Sequence, residues 1–461
     1  MLIPASVDFL FGRQDWQVFL ISAAITMLVG MSMSIATANV GNRGLSLQQT
    51  FILTSSVWAV LPLFGAIPFM LGELDLRLVD AVFEAMSGLT TTGSTVLSGL
   101  DDMPEGILLW RSMLQWFGGI GIIVVAMAFL PELRIGGMQI FRSEAFETMG
   151  KVLPRAAEIA GQITWIYLGL TLACGLAFLG VGMTPFDALN HALTTMSTGG
   201  FSTRDASMGA YQGAPEYVAS LFMILASLPF VRYVQIVAGT ARPLLRDPQI
   251  RGYLAFIFAV TLILAFYRLL VNGDHLEHGF REGLFNATSI ISGTGYASVD
   301  YQLWGTFPVV FFFFIGLVGG CAGSTACSVK IFRYQLLFAS FKAQMRAIHA
   351  PHGVFTPRYD GRAVPEEVLS SVMSFFVMFV VSLGVLSVAL SLTGLDPVTA
   401  ISGAATALAN IGPGLGDIIG PAGNFAPLND IAKWMLSAAM LVGRLEIMVV
   451  YVLFTATFWR G

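Results

Sequence analysis

The stretch D-A-V-F-E-A-M-S-G-L-T-T-T-G-S-T at residues 80–95 begins as an apolar run too short to cross a bilayer and ends in hydroxyl side chains and a glycine. The design returns three times, as F-D-A-L-N-H-A-L-T-T-M-S-T-G-G-F-S-T at 186–203, G-L-F-N-A-T-S-I-I-S-G-T-G-Y at 283–296 and P-V-T-A-I-S-G-A-A-T-A-L-A-N-I-G-P-G at 397–414. Aligned on Gly93, Gly199, Gly295 and Gly412, the copies lie 106, 96 and 117 residues apart, a spacing that accommodates two membrane-spanning helices and a connection each time. A short helix that enters a membrane and stops partway points its negative carboxyl end at the membrane centre, where it favours a cation. Glycine then lets the chain turn back with its carbonyl oxygens exposed and no side chain in the way. One such loop would be weak evidence, because glycine also serves close helix packing. Four in register, each between two apolar spans, point to one shared purpose.

The rest of the chain is what such loops need around them. Of 461 residues, 56% are hydrophobic and 11% charged, against about 25% charged in ordinary soluble domains. A hydrocarbon layer of about 30 Å needs roughly 20 apolar residues per helix. Runs free of Asp, Glu, Lys and Arg cover residues 16–42, 45–72, 112–131, 159–186, 301–329 and 368–395, and three more spans carry interrupting charges: 217–241 (Arg232), 252–271 (Arg268) and 433–459 (Arg444 and Glu446). Nine spans are expected. Residues 1–12 lack the basic start and small-residue cleavage site of a removable signal, so the first helix is expected to stay. With loops assigned alternately, one face holds 16 bases and 8 acids and the other 7 bases and 19 acids. The basic face is expected to be cytoplasmic. The acidic face has two readings, the same topological bias or a field that concentrates cations at an entrance. A net charge of −4 excludes a nucleic-acid binder, and Cys174, Cys321 and Cys327 in apolar stretches read as buried free thiols.

The expected fold is all-α: four tandem helix, pore loop, helix units around a pseudo-fourfold pore, with one extra helix in front. The divisions are 1–44 for the extra helix, 45–158, 159–250, 251–364 (with a broken inner helix) and 365–461 for the units. At this point the sequence resembles the Trk/Ktr/HKT potassium transporters, and within them the TrkH type. The likeness is carried by T-T-T-G-S-T at 90–95, Q-W-F-G-G-I-G-I-I-V at 115–124, M-T-P-F-D-A at 183–188, G-G-F-S-T at 199–203, G-G-C-A-G-S-T at 319–325, N-I-G-P-G-L-G at 410–416 and G-R-L-E at 443–446.

The resemblance implies a potassium filter built from the carbonyls of Thr91, Thr92 and Gly93, of Ser197, Thr198 and Gly199, of Gly293, Thr294 and Gly295, and of Asn410, Ile411 and Gly412. Sodium-favouring relatives carry serine at the first filter glycine, and Gly93 is glycine. Four unlike loops imply fewer well-formed sites and looser discrimination against Rb⁺ than against Na⁺. The small-residue string 319–328 interrupts an apolar run, and reads on composition either as a packing face or as an intramembrane loop. The resemblance makes it a gate, with Gly319, Gly320, Gly323, Ser324, Thr325 and Lys330, although Ala326, Cys327 and Ser328 depart from the family's glycine-rich string. Arg444 falls about 16 Å down a helix from Lys433, near the bilayer centre. It is expected either to face the pore below the filter as an electrostatic barrier or to pair with a neighbouring carboxylate.

His191 reads as a satisfied core histidine rather than a ligand, and His275, His278, His349 and His352 have no zinc-like spacing. Glu84, Asp101, Asp102 and Glu105 read as solvated charge or as cation-steering groups. No phosphate-binding loop is present, so no cofactor is expected in this chain: potassium is its substrate, and nucleotide belongs to a partner. The resemblance implies a homodimer on a cytosolic, nucleotide-binding regulatory subunit of TrkA type, docked at residues 134–155 and 342–362, where lipid headgroups are the other reading. It also implies a multi-pass protein of the inner membrane and no enzyme. Coupled symport with sodium or protons, or an intramembrane enzyme using His191 beside Ser197, are the alternatives, and few intramembrane carboxylates exist to carry a proton. TrkH-type chains usually have two helices before the first unit; here one complete span and a short stub are expected.

Overall fold

The computed structural model describes residues 1–38, 46–128, 137 and 155–460. Among the described residues, six helices are long and apolar enough to cross a membrane: Trp16–Thr37, Gln48–Leu71, Glu105–Val125, Ala160–Gly180, Pro248–Asn272 and Glu366–Leu392. They fall on six of the nine expected spans. The other three expected spans are broken. Ala214–Ala226 and Phe230–Val237 meet at 88°, with Pro229, which has no N–H to continue a helix, at the corner. The run at 301–329 forms a one-turn 3-10 helix, Tyr301–Trp304, and an α-helix only over Thr306–Gly316, and then passes into irregular chain, apart from a two-residue parallel pairing of Val318–Gly319 with Val329–Lys330. The run at 433–459 ends its first helix, Asp430–Arg444, just before Glu446, whose φ of 64 turns the chain into a second short helix, Ile447–Val452. Freedom from charge marks chain that avoids water, but it carries no information on backbone direction.

Four half-helices, Leu78–Leu89, Pro185–Met196, Leu276–Ser292 and Pro397–Ala409, sit between these spans. Their starts are written locally. Thr184 and Asp396 accept hydrogen bonds from the first-turn amides Asp187 N and Thr399 N at 3.2 and 3.0 Å, each with proline at the first helical position. Twelve residues rise about 18 Å, roughly half the hydrocarbon thickness. The first half-helix is surrounded on all sides, with every residue from Ala81 to Leu89 buried, whereas Leu189 and Ile401 of the second and fourth are exposed.

The full-length helices divide into two kinds. Glu105–Val125 has 67% of its apolar window buried, whereas Trp16–Thr37 has 11% and Glu366–Leu392 22%, so the former lines the interior and the latter two face lipid. The apolar cores cross the boundaries between units. Phe83 and Met86 of the first segment join the core of the fourth, Phe285 and Tyr296 of the third that of the second, and Ala409 and Ile411 of the fourth that of the third. Outer polar ties follow the same seams, with Arg204 bound to Asp101, Arg281 to Glu216, Gln302 to the Gly416 amide, and Lys433 to Asp80 at 2.6 Å. The stub at the start is a helix, Leu2–Leu10, and its buried Asp8 accepts from Gly106 N at 2.5 Å. Of the two basic segments, 134–155 lies outside the described residues except for Gly137 and Arg155. Residues 342–362 comprise the end of helix Ile331–His349 and a turn leading into the hairpin Arg358–Tyr359 with Arg362–Ala363.

Candidate functional site

Each half-helix ends in the same way. A residue in the left-handed conformation closes it: Thr91 (φ 52), Thr198 (φ 51), Gly293 (φ 77) and Asn410 (φ 52). Beyond it, Thr92 N, Gly199 N and Ile411 N reach back to Ser87, Thr194 and Thr406 carbonyls at 2.9, 2.9 and 3.1 Å, and Gly295 N to Ser289 at 3.2 Å. These closures satisfy carbonyls that a helix end otherwise leaves bare. Two residues after the closing residue comes a second left-handed position, always glycine: Gly93, Gly200, Gly295 and Gly412. The second loop is therefore offset by one from the expected alignment. Its equivalent triplet is Thr198, Gly199 and Gly200, and Ser197 belongs to the helix end, where its hydroxyl donates to Leu193 O at 2.9 Å. The doubled glycine at 199–200 leaves the sequence alignment free to slide; the position at which the helix closes fixes it.

The four loops meet in a closed ring. A Cβ on Gly93 would lie 2.1 Å from Gly199 O, on Gly200 1.8 Å from Thr294 O, on Gly295 1.8 Å from Ile411 O, and on Gly412 3.0 Å from Thr92 O. Each loop thus presses its glycine on a carbonyl of the next, and the fourth returns to the first. The first three positions admit no side chain without moving backbone. Asn410 Nδ2 ties the ring internally, donating to Thr92 Oγ1 at 2.8 Å and to Met440 O at 2.9 Å, and Ser94 Oγ donates to Gly412 O at 2.7 Å. The expected residues of loops one, three and four are all brought together, as are Thr198 and Gly199 of loop two.

A cavity of about 80 Å³ opens on the outer side of the ring. Glu84, expected as a solvated or steering charge, is instead wholly buried. It accepts from Arg111 Nε at 2.8 Å, from Thr95 Oγ1 at 3.0 Å and from Val96 N at 3.0 Å. Arg111 goes on to Ser202 O at 3.0 Å and lies over the Phe201 ring at 4.1 Å, so one ion pair joins the exits of loops one and two. Asp101 and Glu105 pair with Arg204 and Arg13. Burial would raise the Asp187 carboxyl, but hydrogen bonds from Thr203, Thr184, Tyr211 and Arg204 outweigh it and hold it at about 2. His191 is spent on Asp187 O at 2.8 Å and Ser202 Oγ at 3.0 Å, which removes the histidine and serine pairing considered at residues 191 and 197. Among the described residues no cluster of three or more metal-ligating side chains forms.

Beneath the ring, the irregular chain after Gly316 touches every unit. Cys321 N and Thr325 N donate to Ser227 O and Ala226 O at 3.0 and 3.3 Å, Cys327 N to Ser292 O at 3.3 Å, and Ser328 N to Ala409 O at 2.9 Å, while Cys327 Sγ lies 3.6 Å from Thr91 Oγ1. Gly319 and Gly320 are needed for close approach: a Cβ on either would meet Cys327 O at 2.0 Å or the Ala326 methyl at 2.6 Å. Arg444 is 4% exposed and, among the described residues, binds this chain rather than a carboxylate, donating to Thr325 O at 3.2 Å and Cys327 Sγ at 2.8 Å, and across to Gly118 O at 3.3 Å. Glu446 is held by Arg333 at 2.6 Å instead. Arg444, Lys330, Gly323, Ser324 and Cys327 border a cavity of about 40 Å³. All three cysteines are buried free thiols.

The chain matches the family model described as TrkH, cation transport protein, over residues 15–460. It is 43% identical to the Trk system potassium uptake protein TrkI of Halomonas elongata, covering 100% of this chain and 94% of that one. It is 36% identical to the Trk system potassium uptake protein TrkH of Escherichia coli, covering 100% and 96%. The crystal structure of the potassium transporter TrkH from Vibrio parahaemolyticus superposes with a TM-score of 0.91 at 34% identity, over 100% of this chain and 96% of that one.

Proposed function

The chain belongs to the TrkH family of cation transport proteins and is a multi-pass protein of the inner membrane, and from that premise we propose that it takes up potassium through the ring of four loops. The observation that carries this reading is the cyclic contact of each ring glycine with the next loop's carbonyl. An ion that sheds its water must find oxygens on all sides, and only a closed ring of backbone offers them. Potassium is held by carbonyls of Thr91, Thr92 and Gly93, of Thr198, Gly199 and Gly200, of Gly293, Thr294 and Gly295, and of Asn410, Ile411 and Gly412. The four half-helices aim their carboxyl ends at that ring and add a negative potential where the ion loses its hydration.

The chain from Gly319 to Lys330 acts as the gate beneath. Its hydrogen bonds to all four units support a closed state, with Arg444 as the positive barrier that locks it. The relatives' printed names place them in a Trk system, which supports a regulatory partner; on this reading the chain works as a homodimer, driven from the cytoplasmic side by a nucleotide-binding regulatory subunit.

Growth of a potassium-uptake-deficient bacterium on limiting potassium tests the proposal. The intact gene, supplied with a regulatory partner, is expected to restore growth, and Gly93→Ser to abolish the rescue because its Cβ overlaps the Gly199 carbonyl. Failure of the intact gene, or full rescue by Gly93→Ser, removes the reading.

A further inference from the structure

Gln115 lies on the buried helix of the first unit and is itself fully buried. Both polar atoms of its amide are committed to the second loop. Nε2 donates to Gly199 O at 2.6 Å and Oε1 accepts from Phe201 N at 3.0 Å, so one side chain brackets the left-handed Gly200 between them. It stands directly behind the loop, since a Cβ on Gly199 would come within 2.3 to 2.8 Å of its amide atoms. The carbonyls that match Gly199 in the other loops are those of Thr92, Thr294 and Ile411. Among the described residues none of these three accepts a hydrogen bond.

Resting on the potassium reading above, we infer that Gln115 is a specificity-determining positioning residue, which weakens and orients one of the four carbonyls in the ring's central layer. An N–H donor draws negative charge from the oxygen it binds and fixes its direction, and the number and field strength of such oxygens decide which cation a ring prefers. A layer of three unengaged carbonyls and one engaged carbonyl has a lower field than four free ones. Lower field disfavours the small, strongly hydrated Na⁺ more than K⁺ or Rb⁺. The bracket also keeps loop two from closing inward onto a smaller ion. The asymmetry arises from a residue outside the loops, so their sequences alone do not contain it.

The test is competition of K⁺ and Na⁺ against Rb⁺ uptake by the full chain with its regulatory partner in proteoliposomes. Gln115→Glu keeps an acceptor for Phe201 N and loses the donor to Gly199 O. Its K⁺-over-Na⁺ preference is expected to fall by about three- to tenfold, the worth of one such hydrogen bond. Gln115→Met conserves volume without a charge and is expected to shift the ratio in the same direction, so it decides the matter if the glutamate variant does not fold. A residue that merely packs would lower the uptake of both ions together. A ratio within twofold of wild type in a folded variant overturns the inference. A wild type whose Rb⁺ uptake is not blocked by K⁺ overturns the potassium reading instead.

Discussion

Glu84 and Arg111 show how little a residue's type says about its setting. In the sequence they are two charges among many near the first loop. In the fold they form a buried pair that also holds Thr95, Val96 and Ser202. Two charges leave water only if their geometry and remaining hydrogen bonds compensate, so removing one partner strands the other. Arg111→Met is expected to lower stability by about 3–5 kcal/mol, measured by thermal unfolding in detergent. Adding Glu84→Leu should recover part of that loss, and a double variant as unstable as the sum of the two singles would show that they are not coupled. The one-residue offset of loop two has the same origin. Thr198 and Gly199 were identifiable as loop residues, but the residue that takes φ > 0 depends on which carbonyl the returning N–H meets.

At the scale of elements, the long spans and the half-helices were legible because each rule is local. Apolar length marks a span, and Thr184-Pro185 and Asp396-Pro397 mark helix starts. The broken spans were legible in part. The glycine and serine string at 319–328 announced a break, whereas the corner at Pro229 and the turn at Glu446 lay inside runs counted as continuous. Arg444 ends the helix Asp430–Arg444 and spends its guanidinium on the irregular chain and on Gly118, which joins three units in one contact. A hydrogen bond from a charged group is worth about 1.5–3 kcal/mol. Arg444→Ala should therefore favour the open form by roughly tenfold or more, read as raised Rb⁺ flux into proteoliposomes without the activating nucleotide. Flux equal to wild type, with unchanged gating, would remove Arg444 from the gate.

Across the whole molecule, the acidic outer face survives folding in altered form. All seven outer bases, Arg13, Arg77, Arg111, Arg204, Arg268, Arg281 and Lys433, are bound to outer acids, several of them across the seams between units. The excess carboxylates, among them Asp102 and Asp205, are exposed, and on the cation-concentrating reading they attract ions toward the ring. Such attraction is screened over a Debye length, about 30 Å at 0.01 M and 8 Å at 0.15 M. Initial Rb⁺ uptake at subsaturating Rb⁺ is expected to fall as an impermeant salt is raised across that range, with the saturated rate unchanged, and a flat response would leave the acidic face to topology alone. The sequence by itself determined the membrane, the fourfold repeat, and the four stretches in which a short helix gives way to a glycine loop, because these depend on neighbours along the chain and on transfer from water to lipid. The tertiary structure decided which carbonyl faces which glycine, which charges are buried together, and that Gln115 and Arg444 reach loops of other units. Those contacts join residues 84 to 326 positions apart, and only closing the ring brings them within hydrogen-bond distance.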